Sequence, residues 1–381
     1  MKCNVLIILI ILTIIGNGRK SYGDSFHTSS VRVNDIQVIG THNSYHTGLS
    51  PGMKELLDKT HPKFAKALSY SHPPLEKQLE DGIRLIELDI YADTKGGRYQ
   101  RTRATEWVKS AGITSDAQDG NLDFSGTDFK VFHIIDIDQN SSCDHLMKCL
   151  NIIRKWSDSH PDHLPLFILL ETKQTASTGG LSRSTQPEEF TPATYDMLDS
   201  ELVRAIGRQN IIAPDDVREG APSLRSAVQS KGWPTLERAR GKIIFLFDRP
   251  HDTARYEIGH KNLEGRVIFP NASVNGEDSA FIEVNSPDVH VISELVKAGY
   301  LVRTRADTGG SENPPERTRM RDDAVTSGAQ LISTDYPPEE RFSHDGYLVQ
   351  FPGLKTVRCA PLRQASGCSA EDLLEDRTSV K

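Results

Sequence analysis

The chain has 381 residues, 45 of them Lys or Arg and 52 Asp or Glu, for a net charge of −7 and a charged fraction of 25%. This is an ordinary globular surface without a basic excess, which excludes nucleic acid as an expected partner and firm electrostatic docking on anionic membranes. A chain this long is one large domain or two medium ones, because single cores seldom grow past about 250–300 residues; an α/β barrel with long loops is the common single-domain exception.

The amino terminus reads as a secretory signal peptide over residues 1–23. Lys2 precedes an uncharged apolar run from Val5 to Ile15, and small residues two apart at Ser21 and Gly23 mark a cleavage site. The run is too short to span a bilayer, and no later segment offers about 20 uninterrupted apolar residues, so a secreted protein without a membrane anchor is expected. Residues 24–361 are expected to form one catalytic domain and residues 362–381 a tail, frayed from Ser369 onward. Cys3 leaves with the leader, and an even four cysteines in an exported chain point to disulfides. Spacing favours Cys143 with Cys149 and Cys359 with Cys368, among three possible pairings. Asn140-Ser-Ser and Asn271-Ala-Ser are glycan acceptors if the host glycosylates.

From residue 35 onward, short β-branched runs alternate with helix-like segments, the pattern of βα units in a parallel sheet. Strands are predicted at Ile36–Gly40, Ile83–Tyr91, Lys130–Ile135, Leu166–Glu171, Ile243–Phe247, Arg266–Pro270, Ala280–Val284, Leu301–Arg305 and Gln330–Thr334. That is one more than a closed (β/α)8 barrel requires, and Arg266–Pro270 is the weakest. A helix over Asp144–Ser157 would place Leu146, Cys149, Ile152, Ile153 and Trp156 on one apolar stripe. Ser286-Pro287 opens a helix over Asp288–Ala298, and Pro314-Pro315 precedes another from Glu316 to Ser327. Thr94–Asp128 and Gln174–Pro192 lack such periodicity and read as large rim loops.

The polar residues stand where a barrel would use them. The first strand runs into Thr41-His42-Asn43-Ser44-Tyr45-His46, the second carries Glu87 and Asp89, the third ends near His133, and the fourth ends in Glu171-Thr172-Lys173. Strand carboxyl ends converge on one mouth in a parallel barrel. Glu87 and Asp89, two apart, face the same side and would repel unless a cation lay between them. With Glu171 and the side-chain oxygen of Asn43 they form an all-oxygen set with three negative charges, suited to Ca²⁺, or less well Mg²⁺, and not to zinc. His42 and His133 are a pair that can stabilise phosphoryl charge and protonate a leaving alkoxide. His46 and His145 read as structural.

Several segments in this order resemble the Ca²⁺-dependent phosphoinositide-specific phospholipase C family of secreted microbial proteins: GTHNSYH at 40–46, YSHPPLEKQLEDGIRLIELDIYAD at 70–93, HIIDID at 133–138, WSDSHPDHLPLFILLETK at 156–173 and TDYPPE at 334–339. The resemblance implies a distorted TIM barrel of the PLC-like phosphodiesterase type, with catalytic His42 and His133 and Ca²⁺ held by Asn43, Glu87, Asp89 and Glu171. It also implies attack by the inositol 2-hydroxyl, release of diacylglycerol and a cyclic inositol phosphate, with Glu87 or Glu171 accepting the proton. The expected partner is a phosphoinositide lipid met transiently at a membrane surface, and the expected state is a monomer without a stable protein partner.

Substrate grip is expected from Lys173, from Arg303 and Arg305 on one face of a late strand, and from Asp335 and Tyr336 after the last. Two rival functions remain. One is another barrel phosphodiesterase, of the glycerophosphodiester phosphodiesterase or sphingomyelinase D kind, which product analysis separates. The other is a non-catalytic binder of inositol glycans or lipids, which loss of a histidine or carboxylate would favour.

Overall fold

The computed structural model describes residues 30–100, 103–117, 120–176, 185–308, 313–338, 346–353 and 355–375, so the expected leader at 1–23 lies outside the described residues. Among the described residues the strands are β1 (Ile36–Thr41), β2 (Leu85–Ala92), β3 (Phe129–Val131), β4 (Leu166–Thr172), β5 (Ile243–Phe247), β6 (Ile268–Phe269), β7 (Phe281–Glu283), β8 (Leu301–Arg305), β9 (Leu331–Thr334) and β10 (Val357–Cys359). Eight of them lie in the order β6-β5-β4-β2-β1-β9-β8-β7, and every ladder along that path is parallel.

The ring closes between β6 and β7 by one parallel bridge, Asn271 to Phe281, and by the Asn271 carboxamide. Its Oδ1 accepts the Glu283 N–H at 3.1 Å, and its Nδ2 donates to the Asp248 carbonyl at 2.7 Å. The result is a nearly closed, distorted (β/α)8 barrel. The distortion follows from the chain itself, since the connection between β6 and β7 contains no helix. Asn271 is therefore a seam residue: the nitrogen that a glycan would take is buried and bonded.

Leu166–Leu170 of β4 and Ile243–Phe247 of β5 are unbroken apolar runs because they are covered on both faces. Leu166 to Leu170 of β4 are fully buried, each such side chain contributing roughly 1.5–3 kcal/mol on removal from water. Gly40 lets β1 approach β2: a Cβ there would lie 2.3 Å from that of Leu85, too close for any side chain. That approach fixes the register Gly40 to Leu85 and Thr41 to Ile86, hence where His42 and Asn43 emerge beside Glu87.

Several expectations are corrected. The peripheral strand is the one at Lys130–Ile135 and not Arg266–Pro270: β3 is three residues long and pairs antiparallel with β2, outside the ring. The helix cap near 287 is Asp288, whose carboxylate accepts the Val291 N–H, and Pro314 lies inside the helix Pro314–Thr326, which Asn313 caps. In Leu146–Ser159 the core-facing stripe takes Leu150, with Ile152 at its edge. The rim stretch 94–128 is also more than a loop. Its helix Ala104–Ser110 packs Ala104 and Val108 against Met53, Leu56 and Leu57 in a small second core.

The two disulfides join Cys143 to Cys149 and Cys359 to Cys368. The second staples the region after β10, which pairs antiparallel with β1. The expected fraying from Ser369 does not hold as far as Glu375. Its carboxylate takes both ends of the buried Arg84 guanidinium, with Arg84 Nε at 2.7 Å, and accepts the Leu164 N–H at 2.8 Å. Glu375→Ala leaves Arg84 buried without its counter-ion, and because Glu375 is partly exposed the expected loss is about 1–3 kcal/mol. Differential scanning calorimetry should register this as a Tm lower by about 1–4 °C. An unchanged Tm would mean the contact is incidental. Among the described residues no helix is long and apolar enough to cross a membrane.

Candidate active site

At the carboxyl end of β1 the chain turns through residues 42–45 with Asn43 left-handed at φ 49°, a conformation that Asn tolerates better than most residues. The turn is stitched to β2 in both directions. Ser44 N–H donates to the Glu87 carbonyl at 3.0 Å, and Glu87 N–H donates to Ser44 Oγ at 2.8 Å. His42 and Asn43 are thus anchored to the backbone of a carboxylate residue on the neighbouring strand.

His42 donates from Nδ1 to Asp335 Oδ1 at 2.8 Å, while Nε2 stands 3.7 Å from Glu87 Oε1. The Arg305 guanidinium lies 3.3 Å from the same Nδ1 and 3.7 Å from Asp335 Oδ2. Burial and Arg305, opposed by Asp335, push the His42 pKa down to about 3, so the resting imidazole is neutral. Asp335 is held at about 2 against the effect of burial by His42 and Arg305.

His133 reaches the mouth by another route. It does not end a barrel strand; it follows β3, in a turn where Ile134 N–H and Asp138 N–H exchange bonds with the opposite carbonyls at 2.9 and 2.8 Å. The turn folds Asp138 back onto its own histidine, Nδ1 to Oδ2 at 2.9 Å. Burial lowers the His133 pKa, with Asp138 acting in the opposite direction. The two rings meet edge to face with centroids 6.5 Å apart.

Asp138 also accepts from Nε2 of the fully buried His46, at 2.8 and 2.9 Å. Burial would raise its pKa, but the two imidazoles hold it well below the usual carboxylate range. His46, His133 and Asp138 are close enough to hold a metal. Hydrogen bonding explains them better, because His46 Nδ1 has no partner among the described residues. With Nε2 on a metal, Nδ1 would carry a buried, unbonded proton; with Nε2–H on Asp138, it is only a bare lone pair.

The carboxylates converge beside this pair. Asp89 and Glu171 are register partners on β2 and β4, and the Lys173 ammonium stands between them at 2.8 and 2.9 Å. Glu171 also meets Arg249, and these two cations overcome burial to lower its pKa. The same carboxylates keep Lys173 charged despite its burial. Glu87 meets Arg303 at 2.6 Å, but Arg303 is shared with Glu283 at 2.9 Å. Burial therefore prevails at Glu87 and pushes its pKa up to about 7. Glu87 and Glu171 come within 4.8 Å of a third carboxylate, Asp248, immediately after β5.

Five carboxylates, Glu87, Asp89, Glu171, Asp248 and Glu283, thus face three cations, Lys173, Arg249 and Arg303. Counted as fully ionised, the set leaves two negative charges in a buried setting, as many as one divalent cation balances; burial raises the pKa of Glu87, Asp89, Asp248 and Glu283, so without a cation part of that charge is covered by protons. Asn43 Oδ1 is buried with no partner among the described residues, the state of a waiting ligand oxygen. A hard cation fits this donor set.

A family model described as "Phosphoinositide phospholipase C, Ca2+-dependent" matches residues 31–361. The chain belongs to that family. This phosphoinositide phospholipase C shares its fold with the calcium-dependent phosphoinositol-specific phospholipase C of a Pseudomonas species, in its apo form, at a TM-score of 0.53 and 17% identity, covering 87% of this chain and 97% of that one. It is similar to the Ca²⁺-dependent phosphatidylinositol-specific phospholipase C of Streptomyces antibioticus at a TM-score of 0.52 and 17% identity, covering 86% and 99%. A comparison with curated protein sequences gives no match. Membership makes the chain a phosphoric diester hydrolase of a Ca²⁺-dependent family, and the acidic mouth can hold a metal.

Within this phospholipase the structure brings together His42, His133, Asn43, Glu87, Asp89, Glu171, Lys173 and Arg303. Arg303 lies deep, 1% exposed, and spends its guanidinium on Glu87 and Glu283, while Arg305 reaches the His42 end. Tyr336 is turned away: its ring packs against Tyr347 and beneath Arg317 of the helix Pro314–Thr326. It is Asp335, one residue earlier and on the opposite face, that joins the cluster. Asp138, Asp248, Arg249 and Glu283 were missed. Asp248 and Arg249 carry the signal used elsewhere, polar residues directly after an apolar strand; Asp138 lies within HIIDID, where nothing local marks it.

Proposed function

We propose that this enzyme is secreted and cleaves a phosphatidylinositol-type lipid to diacylglycerol and a cyclic inositol phosphate. The observation that carries the proposal is the pair His42 and His133, each pinned by its own buried aspartate beside an acidic mouth two charges short of neutrality. His42 and His133 are assigned as the acid–base pair. His42, kept neutral by burial and Arg305, accepts the proton of the inositol 2-hydroxyl, and Asp335 steadies the imidazolium that forms. His133, with Asp138 favouring its protonated form, delivers a proton to the departing glycerol oxygen. Asn43, Glu87, Asp89 and Glu171 would hold Ca²⁺, with Asp248 as a further oxygen donor. When bound, the cation neutralises phosphate charge and lowers the pKa of the attacking hydroxyl. Lys173 lies where it can meet a phosphoryl oxygen or an inositol hydroxyl, and Arg303 keeps Glu87 in place.

A single catalytic domain over residues 24–361 behind a signal peptide at 1–23 completes this reading, and the two disulfides support an oxidising destination. The test is the purified protein on phosphatidylinositol vesicles, with Ca²⁺ or chelator, following both products together. Calcium-dependent release of diacylglycerol and cyclic inositol phosphate is expected. Release of phosphatidic acid with free inositol, from cleavage of the other phosphoester bond, would instead place the enzyme with the other barrel phosphodiesterases. Asp138→Asn, which leaves His133 without its anionic partner, should lower kcat by about 10²-fold with KM little changed; an unchanged kcat would mean that His133 does not depend on Asp138.

A further inference from the structure

We infer that Tyr70 is a positioning residue for the candidate calcium centre, acting through Asn43; this rests on the metal reading above. The Asn43 carboxamide has two ends with different fates. Its Nδ2 donates to the Tyr70 hydroxyl at 2.6 Å, and its Oδ1 is buried without a partner among the described residues. A buried amide oxygen that meets nothing costs free energy, unless a ligand completes it. The hydroxyl thus holds the nitrogen end of the amide, and the oxygen is the end left free. Without it the carboxamide has no group to hold its nitrogen and can rotate, presenting an N–H to the acidic mouth where a cation needs an oxygen.

The surroundings make Tyr70 suited to this task. It is 4% exposed, and its ring is packed among three imidazoles, with centroids 4.4 Å from His46, 5.7 Å from His42 and 5.7 Å from His72. His72 Nε2 bonds the His42 carbonyl at 2.9 Å, and His72 N–H donates to the His46 carbonyl at 2.8 Å. The segment after the helix Pro62–Ala67 is thereby tied to the same turn that carries Asn43. Tyr70 cannot swing aside without disturbing both ties, so its hydroxyl is a fixed point.

The test measures Ca²⁺ binding by isothermal titration calorimetry, with no substrate present. Tyr70→Phe keeps the ring and its packing and removes only the hydroxyl. Ca²⁺ affinity is expected to fall about 10- to 100-fold, the usual consequence of losing a group that orients a ligand. Asn43→Ala sets the scale, and the double variant Tyr70→Phe/Asn43→Ala should bind no more weakly than Asn43→Ala alone, because Tyr70 has no other route to the cation. Unchanged affinity in Tyr70→Phe, or losses that add in the double variant, would overturn the inference while leaving the metal reading intact. If the unmodified enzyme binds no Ca²⁺, both fall together. A purely structural tyrosine would lower Tm and leave the affinity of the folded protein as it was.

Discussion

His42→Ala and His133→Ala are each expected to lower kcat on phosphatidylinositol by about 10²–10⁴-fold, the range lost with a positioned acid or base. Both rings sit at the mouth, with side chains 14% and 16% exposed, so their removal opens no cavity in the barrel core and Tm should move little. Each is held at Nδ1 by a buried aspartate, which leaves Nε2 for the substrate. The two should not be additive, because removing either breaks the same proton-transfer sequence, and the double variant should resemble the worse single one. Activity within tenfold of the unmodified enzyme in either variant would remove that histidine from the mechanism. Loss of Ca²⁺ binding in either would show instead that the variant had disturbed the metal site.

Chelation is expected to abolish turnover, and Ca²⁺ affinity should depend steeply on pH. Burial and the neighbouring carboxylates keep Glu87 at about 7, above the ordinary carboxylate range, and burial beside Glu171 raises Asp248 as well. Below pH 7 the cation must therefore displace a proton from Glu87, which weakens binding; above pH 7 no such proton remains. Affinity should rise by about tenfold per pH unit through the range where Glu87 titrates, roughly pH 5 to 7, and go on rising wherever Asp89, which burial also raises, still holds a proton. Calorimetry at pH 5.5, 6.5 and 7.5 measures this directly. A flat profile would exclude Glu87 as a ligand, and Glu87→Gln should flatten the profile while weakening binding.

The sequence by itself was enough for the barrel and for most of the residues at its mouth. Apolar runs such as Leu166–Leu170 ending in Glu171 announce buried parallel strands with polar termini, and Glu87 and Asp89 share a face because a strand alternates every two residues. The short spacings of the four cysteines likewise anticipated both disulfides. These are local properties, set by backbone periodicity and by chain length between partners.

The charge balance and the choice between adjacent residues needed the tertiary structure. Asp335 enters the site and Tyr336 leaves it because the end of β9 turns one inward and the other toward the helix layer, a difference of one position that no composition reveals. Arg303 and Arg305 share a face, yet depth along the barrel gives one to Glu87 and Glu283 and the other to His42 and Asp335. His133 arrives from a short antiparallel strand outside the ring, because the turn over Ile134–Asp138 folds it back. Asp138 and His46 are 92 residues apart and meet only when that turn packs on the one after β1. Contacts of this kind depend on where separate strands end in space, which periodicity along one strand cannot encode.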